Sequence, residues 1–313
     1  MDKFLEGIND TICEWINSLV NGNCANAKEA YETGVNTFGK LAKGAASILT
    51  KSPEDFDGTM WSVVNTINKD FIAVGATLVI IFWCIKLCSD NLDVRQTMRP
   101  ETMIKECTIL VIAEWFVCSS LDIFSALFDL VNMLTKNLGA SSFVTDNPVP
   151  DALNNYLNNL GTSSNVGTAF SDVGSSAMAQ MFSFLFMAIC FTFGMMIVYH
   201  AFVRMFKVMV IAPYGAIAMS TVAGPHSVSH TTISYLKYTL ATILEAVTML
   251  IILKLGTTWL ASSDSLELLW GGTVEITGLT TLFLWTMLSC VKIFVISGGI
   301  KESATITQRV LGS

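Results

Sequence analysis

MAQMFSFLFMAICFTFGMMIVYHAFV, residues 178–203, contains no Asp, Glu, Lys or Arg. Its apolar residues form one continuous run, whereas a membrane strand with one wet face would alternate, and it exceeds the ~20 residues that a helix needs to cross ~30 Å of hydrocarbon. Four more stretches read the same way: Phe71 to Cys88, Met103 to Leu134, Ile233 to Leu260 and Ile276 to Ser297. A backbone in lipid must satisfy its own hydrogen bonds, which a helix does within one segment. The sequence therefore predicts an all-α, polytopic transmembrane bundle of about five spans.

Composition agrees. Of 313 residues, 52% are hydrophobic and 14% charged, and the mean hydropathy is +0.56, values that exclude an ordinary water-soluble globule. A net charge of −7 argues against a broad nucleic-acid-binding face, so DNA meeting this chain meets a conduit and not a reader. The opening residues MDKFLEGIND lack the basic and apolar regions of a secretory signal, and the N-terminal segment is expected to stay in the mature chain. Cys13 and Cys24 are the two cysteines of the polar N-terminal region, and a disulfide between them is one possibility if that region is external. The other six lie in or beside apolar segments and read as small hydrophobes. His200, His226 and His230 do not form a ligand cluster, and neither metal nor cofactor is expected.

Outward from the spans the chain divides into five parts. Residues 1–68 form an external N-terminal region, in which Phe4, Leu5, Ile8, Ile12, Trp15, Ile16 and Leu19 recur at helical spacing. That amphipathic helix suits a membrane surface, a partner helix or the rest of this protein, and its acidic polar face weakens the first reading. Ser52-Pro53-Glu54-Asp55 offers a turn and a helix start. Residues 69–135 hold the first two spans, and 136–176 form an external hydrophilic loop containing Asn147-Pro148 and Pro150. Residues 177–300 hold the remaining spans, and 301–313 a cytoplasmic tail. Gly298-Gly299 is expected to end the last helix.

Basic residues set the orientation. Lys86, Arg95, Arg99 and Lys105 border the link between spans one and two, and Arg204 and Lys207 mark the end of span three. The loop Ser262 to Glu275 has none, and Lys292, Lys301 and Arg309 lie at or after span five. This pattern predicts an outside N-terminus and a cytoplasmic C-terminus. The apolar segment 205–224 is then a broken or re-entrant helix, with Pro213 and Gly215 at the break. A plain sixth crossing is the competing reading.

Charges inside spans carry the sharpest functional signal, since each costs ~2.5–3.5 kcal/mol at a helix centre. Glu245 sits near the middle of the fourth span between Thr242 and Thr248. It suits a bundle interior, a subunit interface or a lumen. The second span carries Glu106, Glu114, Asp122 and Asp129. On a straight helix Glu114 lies about 80° from Asp122, while Asp122 and Asp129 are only about 20° apart, so they share a broad face. These acids are candidates for a pore or a subunit interface. Gly75 with Val79, and Gly215 with Met219, do not complete a GxxxG pair, so a close helix crossing is not specifically encoded there. No P-loop, nucleophile elbow or HExxH is present, and the chain is not expected to be an enzyme.

RMFKVMVIAPYGAIA (residues 204–218), followed by Tyr235-Leu236-Lys237 opening the next span, resembles the TrbL-like channel subunits of type IV secretion and conjugation systems, loosely over Asn65 to Gly299. The resemblance implies a homo-oligomeric ring in the bacterial cytoplasmic membrane, working beside other secretion-system membrane subunits and ATPases. The cargo it implies is single-stranded DNA with attached protein. It further implies that Ala212-Pro213 marks a cytoplasmic break, that the 136–176 loop faces envelope components and that the second-span acids serve the lumen or subunit contacts. The alternative class is a secondary transporter or ion channel using Glu245 and the Pro-broken segment, although a second broken helix is missing.

Overall fold

A computed structural model describes residues 2–90, 100–139, 151–261 and 278–312, and every element in them is helical. Arg95, Arg99, Asn147-Pro148, Pro150 and the Ser262 to Glu275 loop lie outside the described residues. The helices are α1 (Asp2–Leu49), α2 (Pro53–Phe56), α3 (Gly58–Asp90), α4 (Pro100–Cys118), α5 (Ser120–Gly139), α6 (Asp151–Asn159), α7 (Val166–Ile211), α8 (Gly215–Ser220), α9 (His226–Ala261) and α10 (Leu279–Leu311). Two 3-10 turns, Ala212–Tyr214 and Thr221–Ala223, flank α8.

Four of these segments are long and apolar enough to cross a membrane: Gly58–Cys88, Val166–Ala223, Val228–Leu260 and Leu282–Leu311. The predicted second span is not straight. Met103–Cys118 and Ser120–Leu138 meet at 65°, and together they would make a fifth.

The chain forms two compact units. The first takes α1 as far as Ala45, α6, α7 as far as Tyr199, α9 from Ile252 and α10 as far as Ile300. Here α1 and α7 run side by side in the same direction: Asn23 Nδ2 donates to Ser176 Oγ at 3.3 Å, Tyr31 meets Phe186 with ring centroids 5.3 Å apart, and Leu41 lies against Gly194. Phe182 with Phe283 and Phe193 with Phe294 set α10 parallel to α7. Antiparallel pairing of α9 with α10 brings Gly256 against Ile296 and Gly299 against Ile252. The Gly298-Gly299 pair therefore does not end the last helix, which runs on to Leu311. A glycine there lets α9 approach closely.

α1 is one uninterrupted helix of 48 residues, about 72 Å long at 1.5 Å per residue. Its buried stripe includes Cys13, Ile16, Val20, Cys24, Ala27 and Tyr31, whereas Ile12, Trp15 and Leu19 of the expected apolar face are exposed. The side chains of Phe4, Leu5 and Ile8 lie outside the described set. Core packing here selects the face rich in small residues, which admits a neighbouring helix more closely. The Cys13–Cys24 disulfide is ruled out because both thiols are free and share one helix. Eleven residues along it separate the two Cα atoms by about 16 Å, against the ~7 Å limit for a bridge. All eight cysteines are free, so denaturation without reductant is expected to let iodoacetamide modify all of them. Intact mass spectrometry reads the result, and a shortfall of two would restore a bridge.

The second unit takes α2 to α5, α7 from His200 through α8, α9 as far as Ile251 and α10 from Lys301. Ser52 caps α2 by accepting from Asp55 N at 3.1 Å, with Pro53 at the first helical position as the sequence predicts. Asp57 Oδ1 then accepts from Thr59 and Met60 N to start α3. Lys86 bridges to Glu106 at 2.8 Å, joining α3 to α4. Gly75 marks a close crossing after all, since a Cβ there would lie 2.8 Å from Ala216 O and 2.9 Å from Val117 Cγ1. The glycine and its small partner sit on different helices, where a search for repeats within one helix does not look.

Candidate functional site

Arg204 and Lys207 are three residues apart on α7, so both project towards the same neighbours. Arg204 is 2% exposed. Its Nη2 donates to Ile243 O of α9 at 3.0 Å, its Nη1 lies 3.3 Å from Met205 Sδ, and its Cζ stands 5.7 Å from the centre of the Phe128 ring of α5. The buried Nε has no hydrogen-bond partner among the described residues. Lys207 Nζ lies 3.8 Å from Glu245 Oε2 and 5.4 Å from the centre of the Tyr238 ring.

Glu245 is 7% exposed and lies within electrostatic reach of both cations. Its side chain also hydrogen-bonds that of Ser303 on α10. One helical turn on, the hydroxyls of Thr248 and Thr307 share a hydrogen bond of 2.8 Å, and Thr307 donates to Ser303 O at 2.8 Å. A carboxylate paired with the Lys207 ammonium, lying in the field of the Arg204 guanidinium and backed by hydroxyls, thus ties α7, α9 and α10 together, with α5 covering the guanidinium face. Buried charges persist when they are paired and hydrogen-bonded in this way.

Pro213 and Gly215 lie further along the same α7–α9 pairing. Pro213 sits in a 3-10 turn, where Gly215 N bonds Ala212 O. That shortened turn leaves Ile211 O without its usual helical donor, and the Tyr235 hydroxyl of α9 supplies one at 3.1 Å. Tyr235 also covers Gly215, whose added Cβ would lie 3.1 Å from the phenolic oxygen. The proline tightens the helix without reversing it. The chain continues in helical backbone to Ala223 and turns at Gly224, which is extended (φ −79°, ψ 173°), before Pro225 and α9. Thr232 seals this hairpin by donating to Ala218 O at 2.8 Å and sharing a 2.7 Å hydrogen bond with Thr221.

Of the sequence candidates, the structure brings together Arg204, Lys207 and Glu245, with Pro213 and Gly215 on the adjoining hairpin. Glu114, Asp122 and Asp129 do not share one helical face, because the bend at Ser119 separates Glu114 on α4 from the two aspartates on α5. Glu114 is half-buried and both aspartates are exposed. Ser303, Thr307 and Phe128 are the members that sequence reasoning did not select, and Tyr235 entered only as part of a motif, with no contact assigned to it. Ser303 and Thr307 fall in the expected tail, yet they are 0% and 6% exposed because α10 continues through it. Among the described residues no group of three His, Cys, Asp or Glu converges as a metal site.

Neither family models, curated proteins nor solved structures give a match to this chain. The apolar helices are compatible with lipid contact and place the protein among membrane-embedded helical chains.

Proposed function

We propose that this chain is a non-enzymatic subunit of the membrane conduit of a type IV secretion (conjugation) machine. In this reading it assembles as a ring of identical copies in the bacterial cytoplasmic membrane, its N-terminus outside and its C-terminus cytoplasmic. It passes single-stranded DNA with attached protein, driven by separate ATPases.

The observation that carries the reading is the packing of the residues that resemble the TrbL-like subunits. RMFKVMVIAPYGAIA and Tyr235-Leu236-Lys237, which lie inside α9, sit on one antiparallel hairpin, in which Tyr235 serves the distorted turn at Pro213 and Glu245 lies 3.8 Å from Lys207 and in the field of Arg204. A motif whose separate pieces support one another is a structural unit that a membrane subunit can retain without any catalytic group.

Deletion of the coding sequence from its parent element is the test. Transfer frequency is expected to fall to the background of the mating assay with growth unchanged, and a complementing copy is expected to restore it. Undiminished transfer would reject the conjugation reading and return the choice to a transporter built around Glu245.

A further inference from the structure

In the first unit, one helix has the wrong outward face for lipid. The contacts of Tyr31 with Phe186, Gly34 with Met187 and Leu41 with Gly194 place α1 beside the central part of α7, inside the most apolar stretch of the chain. Over that depth the outward side chains of α7 are apolar: Met181, Leu185 and Phe191 are 69%, 54% and 54% exposed. Phe283, Met287 and Val291 of α10 are exposed as well.

The exposed polar side chains of α1 beside them include Asn26, Glu29, Thr33, Asn36, Lys40 and Lys43. At ~100° per residue these six fall within an arc of about 100°. The opposite arc holds the buried Cys24, Ala27, Tyr31, Phe38 and Ala42. Ionic side chains at bilayer depth are found facing water or protein, not acyl chains. A protein interface would bring apolar or aromatic anchors and few lysines or glutamates to its centre. This stripe has the reverse composition.

We propose that α1 crosses the bilayer as a polar helix and that its Asn26–Lys43 face lines a water-filled passage. The proposal rests on the conduit reading above and names the surface that the conduit uses. One carboxylate and two ammonium groups among amide and hydroxyl side chains neither repel a polyanion nor hold it tightly, as passage requires. The long apolar helices then serve as the lipid-facing wall. Hydropathy overlooks the lining helix because its solvent is water.

The test is cysteine labelling of the full-length chain in intact cells with a membrane-impermeant maleimide, read by peptide mass spectrometry. Glu29→Cys, Thr33→Cys, Asn36→Cys and Lys40→Cys are made singly. Val35→Cys on the buried arc and Phe191→Cys on the lipid-facing side of α7 are the references, and each variant is checked for normal membrane level. The four stripe positions are expected to label roughly tenfold or more above both references, because a maleimide needs an exposed, hydrated thiolate. The four are independent, so loss of one variant to misfolding leaves the others.

Stripe positions as silent as Phe191→Cys would overturn the passage, and disulfide cross-linking between copies at those positions would identify the face as a subunit contact instead. Phe191→Cys labelling as strongly as the stripe would also overturn it, by removing this unit from the bilayer. The conjugation reading fails separately, through undiminished transfer in the deletion strain, whatever the labelling pattern.

Discussion

Glu245→Leu is expected to destabilise the second unit by roughly 3–5 kcal/mol, the range for breaking a buried ion pair by removing one partner. Most of that loss is expected to return when Arg204→Met is added. The carboxylate faces Lys207 at 3.8 Å and the field of Arg204. Without it, two cations share an interior with only ring faces and a carbonyl to stabilise them. Lys207 retains 31% side-chain exposure and its long stem can carry the ammonium outward. Arg204 at 2% exposure has no such route. Methionine keeps much of the arginine's volume and removes the stranded charge, so the double variant should unfold at a higher temperature than Glu245→Leu alone. Thermal unfolding of detergent-solubilised protein, followed by fluorescence-detected size exclusion, compares the four chains of this cycle. Additive losses would mean that Arg204 and Glu245 do not interact, and the assigned cluster would be wrong.

That cluster was partly legible from sequence. Glu245, Arg204 and Lys207 each stand out because charges are costly within apolar runs, yet no periodicity says that residues 38 to 41 positions apart will meet. Pairing depends on the turn at Gly224-Pro225, which is less conspicuous in the sequence than Pro213. Pro213 keeps the backbone helical through a 3-10 turn, and Ile211 O, which that shortened turn deprives of its usual donor, accepts from Tyr235 on the next helix. The acids of the second predicted span show the opposite failure. Their common face holds only on a straight helix, and a 65° bend at Ser119 removes the premise.

The presence of long apolar helices was readable because continuous apolar runs are a one-dimensional property. Their lengths were not, since the run 178–203 lies within an apolar helical segment from Val166 to Ala223. α1 was not, because its mixture of small, polar and charged residues resembles that of a surface helix. Only the partner helices reveal which of its faces is buried. Small residues such as Ala27, Gly34 and Ala42 carry little hydropathy signal, although all three are buried and Gly34 lies close against Met187 of α7.

Gly75 gives the second large effect. Substitution to leucine is expected to abolish accumulation of the folded protein, and even Gly75→Ala is expected to cost about 1–3 kcal/mol, the usual penalty of overpacking. A Cβ at that position meets the backbone oxygen of Ala216 at 2.8 Å and Val117 Cγ1 at 2.9 Å. Backbone cannot rotate aside as a flexible side chain does, so α3 and α8 would have to part. Their separation would open the apolar cluster in which Val79, Ala113, Val117, Ala216, Met219 and Ala223 are buried. Gly174 in α7 is the contrasting case, with no atom within 4 Å of an added Cβ. Gly174→Ala should be neutral or stabilise by up to ~1 kcal/mol through helix propensity. The two alanine variants therefore differ in sign for a physical reason, contact with backbone against open space, and the same thermal unfolding measurement compares them. Equal tolerance of both would show that α3 and α8 do not approach as closely as their glycine and alanine allow.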